Sequence, residues 1–202
     1  HYALGDYAKG LATYERGLAA MEAMGDKGGA ARTLGNLGNV HRELGNYTKA
    51  LAIFKRALVA QEAVGDKAAA AQTLGNIGLV HSSLGNYAKA LSTLERALTT
   101  QQGLGDKASA ALTLSNIGSV HYAMQDNEKA LSAKERALAI LEALGERGRA
   151  AGTLADIGSI HFALGDNEKA LSTYERVLVS LEALGDKSGA ARTLGNLGLV
   201  QK

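Results

Sequence analysis

All five histidines of the chain stand forty residues apart, at His1, His41, His81, His121 and His161, and Gln201 takes the next place. Other columns keep the same interval: Leu34, Leu74, Leu114, Leu154 and Leu194; Gly38, Gly78, Gly118, Gly158 and Gly198; Lys9, Lys49, Lys89, Lys129 and Lys169; Arg16, Arg56, Arg96, Arg136 and Arg176. A repeat this short cannot bury its own apolar face, so it folds by stacking on its neighbours. The 202 residues hold about five such repeats, with half repeats at both ends, and are expected to form one solenoid over 1–202.

Each repeat reads as two helices. Between Asp66 and Leu84 the apolar residues Ala70, Leu74, Ile77 and Val80 recur at spacings of three and four, the signature of one helical face. Gly85-Asn86 follows: glycine suits a left-handed helix end, and asparagine is expected to cap the next helix. The second helix passes through Ala90, Leu91, Leu94, Ala97 and Leu98, and Gly105-Asp106 repeats the stop, as do Gly65-Asp66, Gly145-Glu146 and Gly185-Asp186. The expectation is an all-α chain with helices near 6–24, 26–44, 46–64, 66–84, 86–104, 106–124, 126–144, 146–164, 166–184 and 186–201. Residues His1 to Leu4 read as the tail of a preceding helix. Connections this short make neighbouring helices antiparallel. A glycine inside a helix costs about 1 kcal/mol relative to alanine. Its recurrence in the Gly38 column, with Ala50 and Ala57 on the facing side, therefore points to close helix approach.

Composition removes several classes of function. The 22 basic and 20 acidic residues leave a net charge of +2, without the basic excess of a nucleic-acid binder. Aromatic residues are 4% of the chain, too few for a base-stacking platform. Without cysteine there is no disulfide, thiolate nucleophile or cysteine-type zinc site. No apolar run approaches the ~18 residues of a membrane span. Localisation stays open.

The stretch Leu37-Gly38 … Gly45-x-Tyr47-x-x-Ala50 … Phe54-x-x-Ala57 resembles the tetratricopeptide repeat over essentially the whole chain. The forty-residue length, the Leu-Gly-Asn triplets and the Gly-Asp-Lys junctions are most similar to the long-repeat branch that includes Leu-Gly-Asn repeat proteins, kinesin light chains and many bacterial arrays. The resemblance implies an α-solenoid: helix hairpins stacked into a right-handed superhelix whose concave groove is lined by the first helix of each pair. Several residues depart from the pattern. Histidine replaces the usual aromatic in the His41 column, and the proline after the second helix is missing. Asn127 and Asn167 replace the Tyr47-type residue, and Lys134 stands where Phe54 stands. Those two repeats are expected to pack more loosely, with the Lys134 stem along the surface and its ammonium in water.

Of the constellations able to carry chemistry, the histidine ladder comes first. Helices in a stack lie about 8–10 Å apart, whereas zinc ligation needs each nitrogen about 2.0–2.1 Å from the metal. The ladder is therefore read as structural, hydrogen-bonded imidazole, with no metal and no cofactor. A second ladder is Asn36, Asn76, Asn116, Asp156 and Asn196, with Asn39 one turn on from Asn36. The resemblance places this face in the groove, where asparagine can both donate to and accept from an extended peptide. Arg32 and Arg192, one turn earlier, can meet a carboxylate, and Tyr122 and Phe162 can receive an apolar side chain. The alternative is that the asparagines only bond neighbouring helices. The lysine clamp of chaperone-binding family members is not matched, since Gly35, Gly75 and Ser115 hold its place. Gly103-x-Gly105-x-x-Ala108 follows a helix rather than a strand, so it is no dinucleotide loop. Asn46-Tyr47-Thr48 is a lone glycosylation sequon at a turn.

Two functions remain: a non-catalytic scaffold that binds a peptide or helix of a partner protein in its groove, and a structural protein that stacks head to tail with further copies of itself. The second rests on Leu194, Leu197 and Val200 in the closing helix, with Leu11, Tyr14 and Leu18 as the complementary surface at the other end. A fragment of a longer array would show the same ends. Neither reading involves nucleic acid, membrane or catalysis.

Overall fold

The computed structural model describes residues 2–201, with side chains from Lys9 onward. The described residues form ten α-helices and no strand: α1 (Tyr2–Ala23), α2 (Lys27–Glu43), α3 (Tyr47–Ala63), α4 (Lys67–Ser83), α5 (Tyr87–Gly103), α6 (Lys107–Ala123), α7 (Asn127–Ala143), α8 (Arg147–Ala163), α9 (Asn167–Leu184) and α10 (Lys187–Val200). They fall into two compact units, His1–Gly105 and Asp106–Lys202. Within each unit, sequence neighbours pack together as antiparallel pairs, and α2 also touches α4.

The junctions explain the regularity. After α2, the N–H of Asn46 donates to the His41 carbonyl at 2.9 Å and that of Gly45 to Arg42 at 2.9 Å. This double bond satisfies the last carbonyls of a helix and needs one residue in the left-handed region. Gly45 has φ 72° there, and Gly25, Gly65, Gly85, Gly105, Gly145, Gly165 and Gly185 have similar values. Asn46 is at once the residue that closes α2 and the N-cap of α3, so no slack separates the helices. Gln125 occupies the glycine's place with φ 62° and makes the same bonds, at the steric cost of a side chain in that region.

Three expectations are corrected here. Asn46 and Asn86 stand at N-caps, but their side chains make no capping bond. Their ψ angles are 57° and 59°, whereas Asp26, Asp66, Asp106 and Asp186 have 78–82° and accept from the third helical N–H. The lower ψ turns the side chain away from that N–H. Next, α1 runs unbroken through Gly5-Asp6 instead of starting after it. Third, the second helices of the two departing repeats are closed: Ala130, Ala137, Ala170 and Val177 are fully buried.

Close approach at the glycine column has a direct cause. A Cβ at Gly38 would lie 2.5 Å from Phe54, at Gly78 2.6 Å from Leu94, at Gly118 2.8 Å from Lys134, and at Gly158 2.8 Å from Tyr174. Each first helix thus offers a notch into which the paired second helix sets a large side chain. Around these knobs lie the small apolar cores, such as Ala50, Phe54, Ile77 and Val80 in the first unit and Ala170, Tyr174 and Val200 in the second.

Candidate functional site

The first helices carry the ladder face. In the first unit Arg32 and Asn36 on α2 are exposed, and Asn39 and Asn76 are half-buried. Arg42 Nη1 donates to Asn76 Oδ1 at 3.4 Å while Nη2 pairs with Glu43 at 2.6 Å. Asn76 is therefore tied to the neighbouring first helix, through an arginine that sequence reasoning passed over.

In the second unit the departures form one cluster. Lys134 is buried, contrary to the expected surface course. Its stem fills the Gly118 notch, so the ammonium emerges on the ladder face, where Nζ donates to Ser115 Oγ and Ser119 Oγ at 2.9 Å each and to Asp156 Oδ2 at 2.5 Å. The carboxylate and hydroxyls replace the water that the ammonium gives up. Asp156 is thus the one ladder member with a charge because it faces the one charged knob. The signal was present in the sequence: Ser115, Lys134 and Asp156 all depart from their columns within neighbouring helices.

Between α8 and α10 lies a groove of about 520 Å³. Asp156, Arg192 and Asn196 line it above a floor of Gly152, Ala155 and Leu181, so three of the expected residues meet there. Tyr122 and Phe162 are not among its walls, but both rings are exposed, at 42% and 43%. Asn116 is half-buried on α6. A larger hollow of about 800 Å³, lined by Glu62, Lys67, Leu74, Arg96, Thr99 and Leu104, contains none of the expected residues. Its columns recur eighty residues on as Glu142, Arg147, Leu154 and Val179 around 510 Å³.

The histidines pack as buried or half-buried rings, but not as hydrogen-bonded ones: the Nδ1 atoms of His41, His81, His121 and His161 are buried without a partner. His1 lies outside the described residues. In the second unit Nδ1 of His121 is 3.6 Å from Asp126 and that of His161 3.8 Å from Asp166, too long for a bond. Among the described residues no three acidic or imidazole groups come together as a metal would require, and no helix is long and apolar enough to cross a membrane.

Burial pushes the His41 and His81 imidazoles below their ordinary value. Lys49 acts in the same direction on His41, partly opposed by Glu15, and Lys89 and Lys55 do so on His81. The fold thus holds these rings neutral more firmly than the unfolded chain does. Their contribution is full above the unfolded value of about 6.5 and is lost as the pH falls below it, where the unfolded state takes protons first. Urea midpoints are expected to drop between about pH 7.5 and pH 5.5, and to drop less with His41→Gln and His81→Gln. An equal drop in that variant would assign the acid sensitivity to other groups.

A family profile for the tetratricopeptide repeat matches residues 1–63, 29–103 and 68–143, and a second matches 153–188. The chain belongs to the tetratricopeptide repeat family. No curated protein matches its sequence. Among solved structures, this tetratricopeptide chain is similar to the apo form of RapI, with a TM-score of 0.87 and 15% identity over 100% of this chain and 56% of that one. A Rap protein complexed with competence and sporulation factor gives 0.78 and 18% identity, over 99% and 61%. BtubC from P. vanneervenii gives 0.75 and 16% identity, over 96% and 91%. At such identities the likeness is one of fold.

Proposed function

We propose that this tetratricopeptide chain is a non-catalytic scaffold whose first-helix face binds an extended peptide segment of a partner protein. The observation that carries the reading is the groove between α8 and α10, where Asp156, Arg192 and Asn196 line it together with Gly152, Ala155 and Leu181. The glycine and alanine let a peptide backbone approach, and the polar rim supplies donors and acceptors along it. The similarly folded Rap protein solved with a bound factor supports the same use of the fold.

The test is selection from a random linear peptide library, followed by affinity measurement. Asn76→Ala with Asn116→Ala, and separately Arg192→Ala, should weaken selected peptides, each lost neutral hydrogen bond being worth about 0.5–1.5 kcal/mol. Unchanged affinity in folded variants would move the site off this face.

A second reading is end-to-end stacking of copies through Leu194, which is 55% exposed. The complementary surface is smaller than the sequence implied: Val200 is covered by Ala170 and Tyr174, and Leu18 by Ala30, Leu34 and Ala57. Leu194→Asp is expected to abolish any concentration-dependent growth in sedimentation. A monomer at all concentrations in the parent chain rejects stacking.

A further inference from the structure

The column Met21, Gln61, Gln101, Leu141 and Leu181 lies on the second helices. Its last member shows what the column touches. Leu181 belongs to the buried cluster against which Ala155 of α8 and Ala190 of α10 pack, and it lines the groove between those helices. The same columns 120 residues earlier are Gly35 on α2, Ala70 on α4 and Gln61 on α3. A Cβ at Gly35 would stand 3.7 Å from Gln61 Nε2. By column, the Gln61 carboxamide therefore takes the place that Leu181 holds between α8 and α10, below a glycine, with Arg32 and Asn36 on α2 and Asn76 on α4.

Two features there are left unexplained by packing. Gln61 is only 3% exposed, yet its Oε1 has no hydrogen-bond partner. Leucine fills the same place in α7 and α9 without any polar atom to satisfy. Gly35 is the other. It sits inside a helix, but nothing crowds it as Phe54 crowds Gly38. A side chain at 35 would instead lie over the Gln61 amide.

We propose that Gln61 is a ligand-binding residue, whose carboxamide receives the main chain of an extended peptide lying between α2 and α4, with Gly35 as its opening. A glutamine amide offers one acceptor and two donors, so it can pair with both the N–H and the C=O of a peptide unit. The last side-chain torsion is soft, which lets the amide turn to present its oxygen. This assignment rests on the peptide-scaffold reading and adds a polar contact from a second helix, where that reading takes its polar contacts from first helices.

The test uses peptides selected on the full chain from a random linear library. Gln61→Leu should lower their affinity about tenfold or more while leaving the urea midpoint equal or higher, since leucine already suits the column. Gly35→Leu, which covers the amide, should cause a similar loss. Full affinity in Gln61→Leu, with Asn76→Ala still weakening the peptides, overturns the assignment and keeps the scaffold. A lower urea midpoint in Gln61→Leu with affinity unchanged also overturns it, because the amide then serves the fold alone. Failure to select any peptide, or peptides indifferent to Asn76→Ala and Gln61→Leu alike, rejects the scaffold reading and Gln61 with it.

Discussion

Gly78→Ala is expected to destabilise the chain by about 1–3 kcal/mol, although alanine is favoured over glycine by about 1 kcal/mol in an open helix. The added methyl would sit 2.6 Å from Leu94 Cγ and 3.4 Å from the Ala90 carbonyl, and Leu94 is fully buried with no room to withdraw. Leu94→Ala removes the knob and should cost about 2–5 kcal/mol by itself. The two losses are not expected to add: with Leu94 truncated, the methyl introduced by Gly78→Ala enters vacated space. A double-mutant cycle by urea denaturation should give a coupling of about 0.5–3 kcal/mol. Additive losses would mean that the notch and knob do not meet.

The charged knob gives the second large effect. Asp156→Ala leaves the Lys134 ammonium with two serine hydroxyls and no countercharge. Breaking a fully buried pair costs about 3–5 kcal/mol, and the 54% exposure of Asp156 lowers the expectation to about 1–3 kcal/mol. Lys134→Leu combined with Asp156→Asn restores the residues of their columns one repeat earlier, Leu94 and Asn116. That pair of changes should be neutral or stabilising, by up to about 4 kcal/mol. Leucine already fits a glycine notch at Gly78, and the hydroxyls of Ser115 and Ser119 can turn to water. A double variant less stable than Asp156→Ala would show that the polar cluster outperforms apolar packing here.

The helices and all their boundaries but the start of α1 were legible because one spacing governs them. A Gly-polar pair at intervals of twenty, with Gln125-Asp126 in one place, marks the stops, and apolar spacings of three and four mark the faces between. The ladder face was legible for the same reason. Properties that arise between helices were not. Lys134 reads as a surface residue until α6 and α8 bring Ser115, Ser119 and Asp156 to its ammonium from 15 to 22 positions away. The N-cap asparagines failed to cap because of a ψ difference that composition does not encode. Gln125 adopts the left-handed conformation because the closing bonds around it demand one, whichever residue stands there. Gln61 was visible as a polar member of a partly apolar column, but its unpaired oxygen is a property of the packed neighbours.

Near-identical repeats pose a problem for a chain that must find one arrangement, since a hairpin can dock in its neighbour's berth, or in that of another copy, with little loss of apolar contact. The lysine of α7 removes that degeneracy. Docked between α2 and α4 it would face Gly35, Asn39 and Asn76; between α8 and α10, Ala155, Ser159 and Asn196. In each, an asparagine stands where the ammonium otherwise meets the Asp156 carboxylate, and losing that partner is expected to cost several kcal/mol. Lys134 and Asp156 are therefore expected to favour one register, and swapped or slipped species should rise during refolding once both are replaced by the residues of their columns.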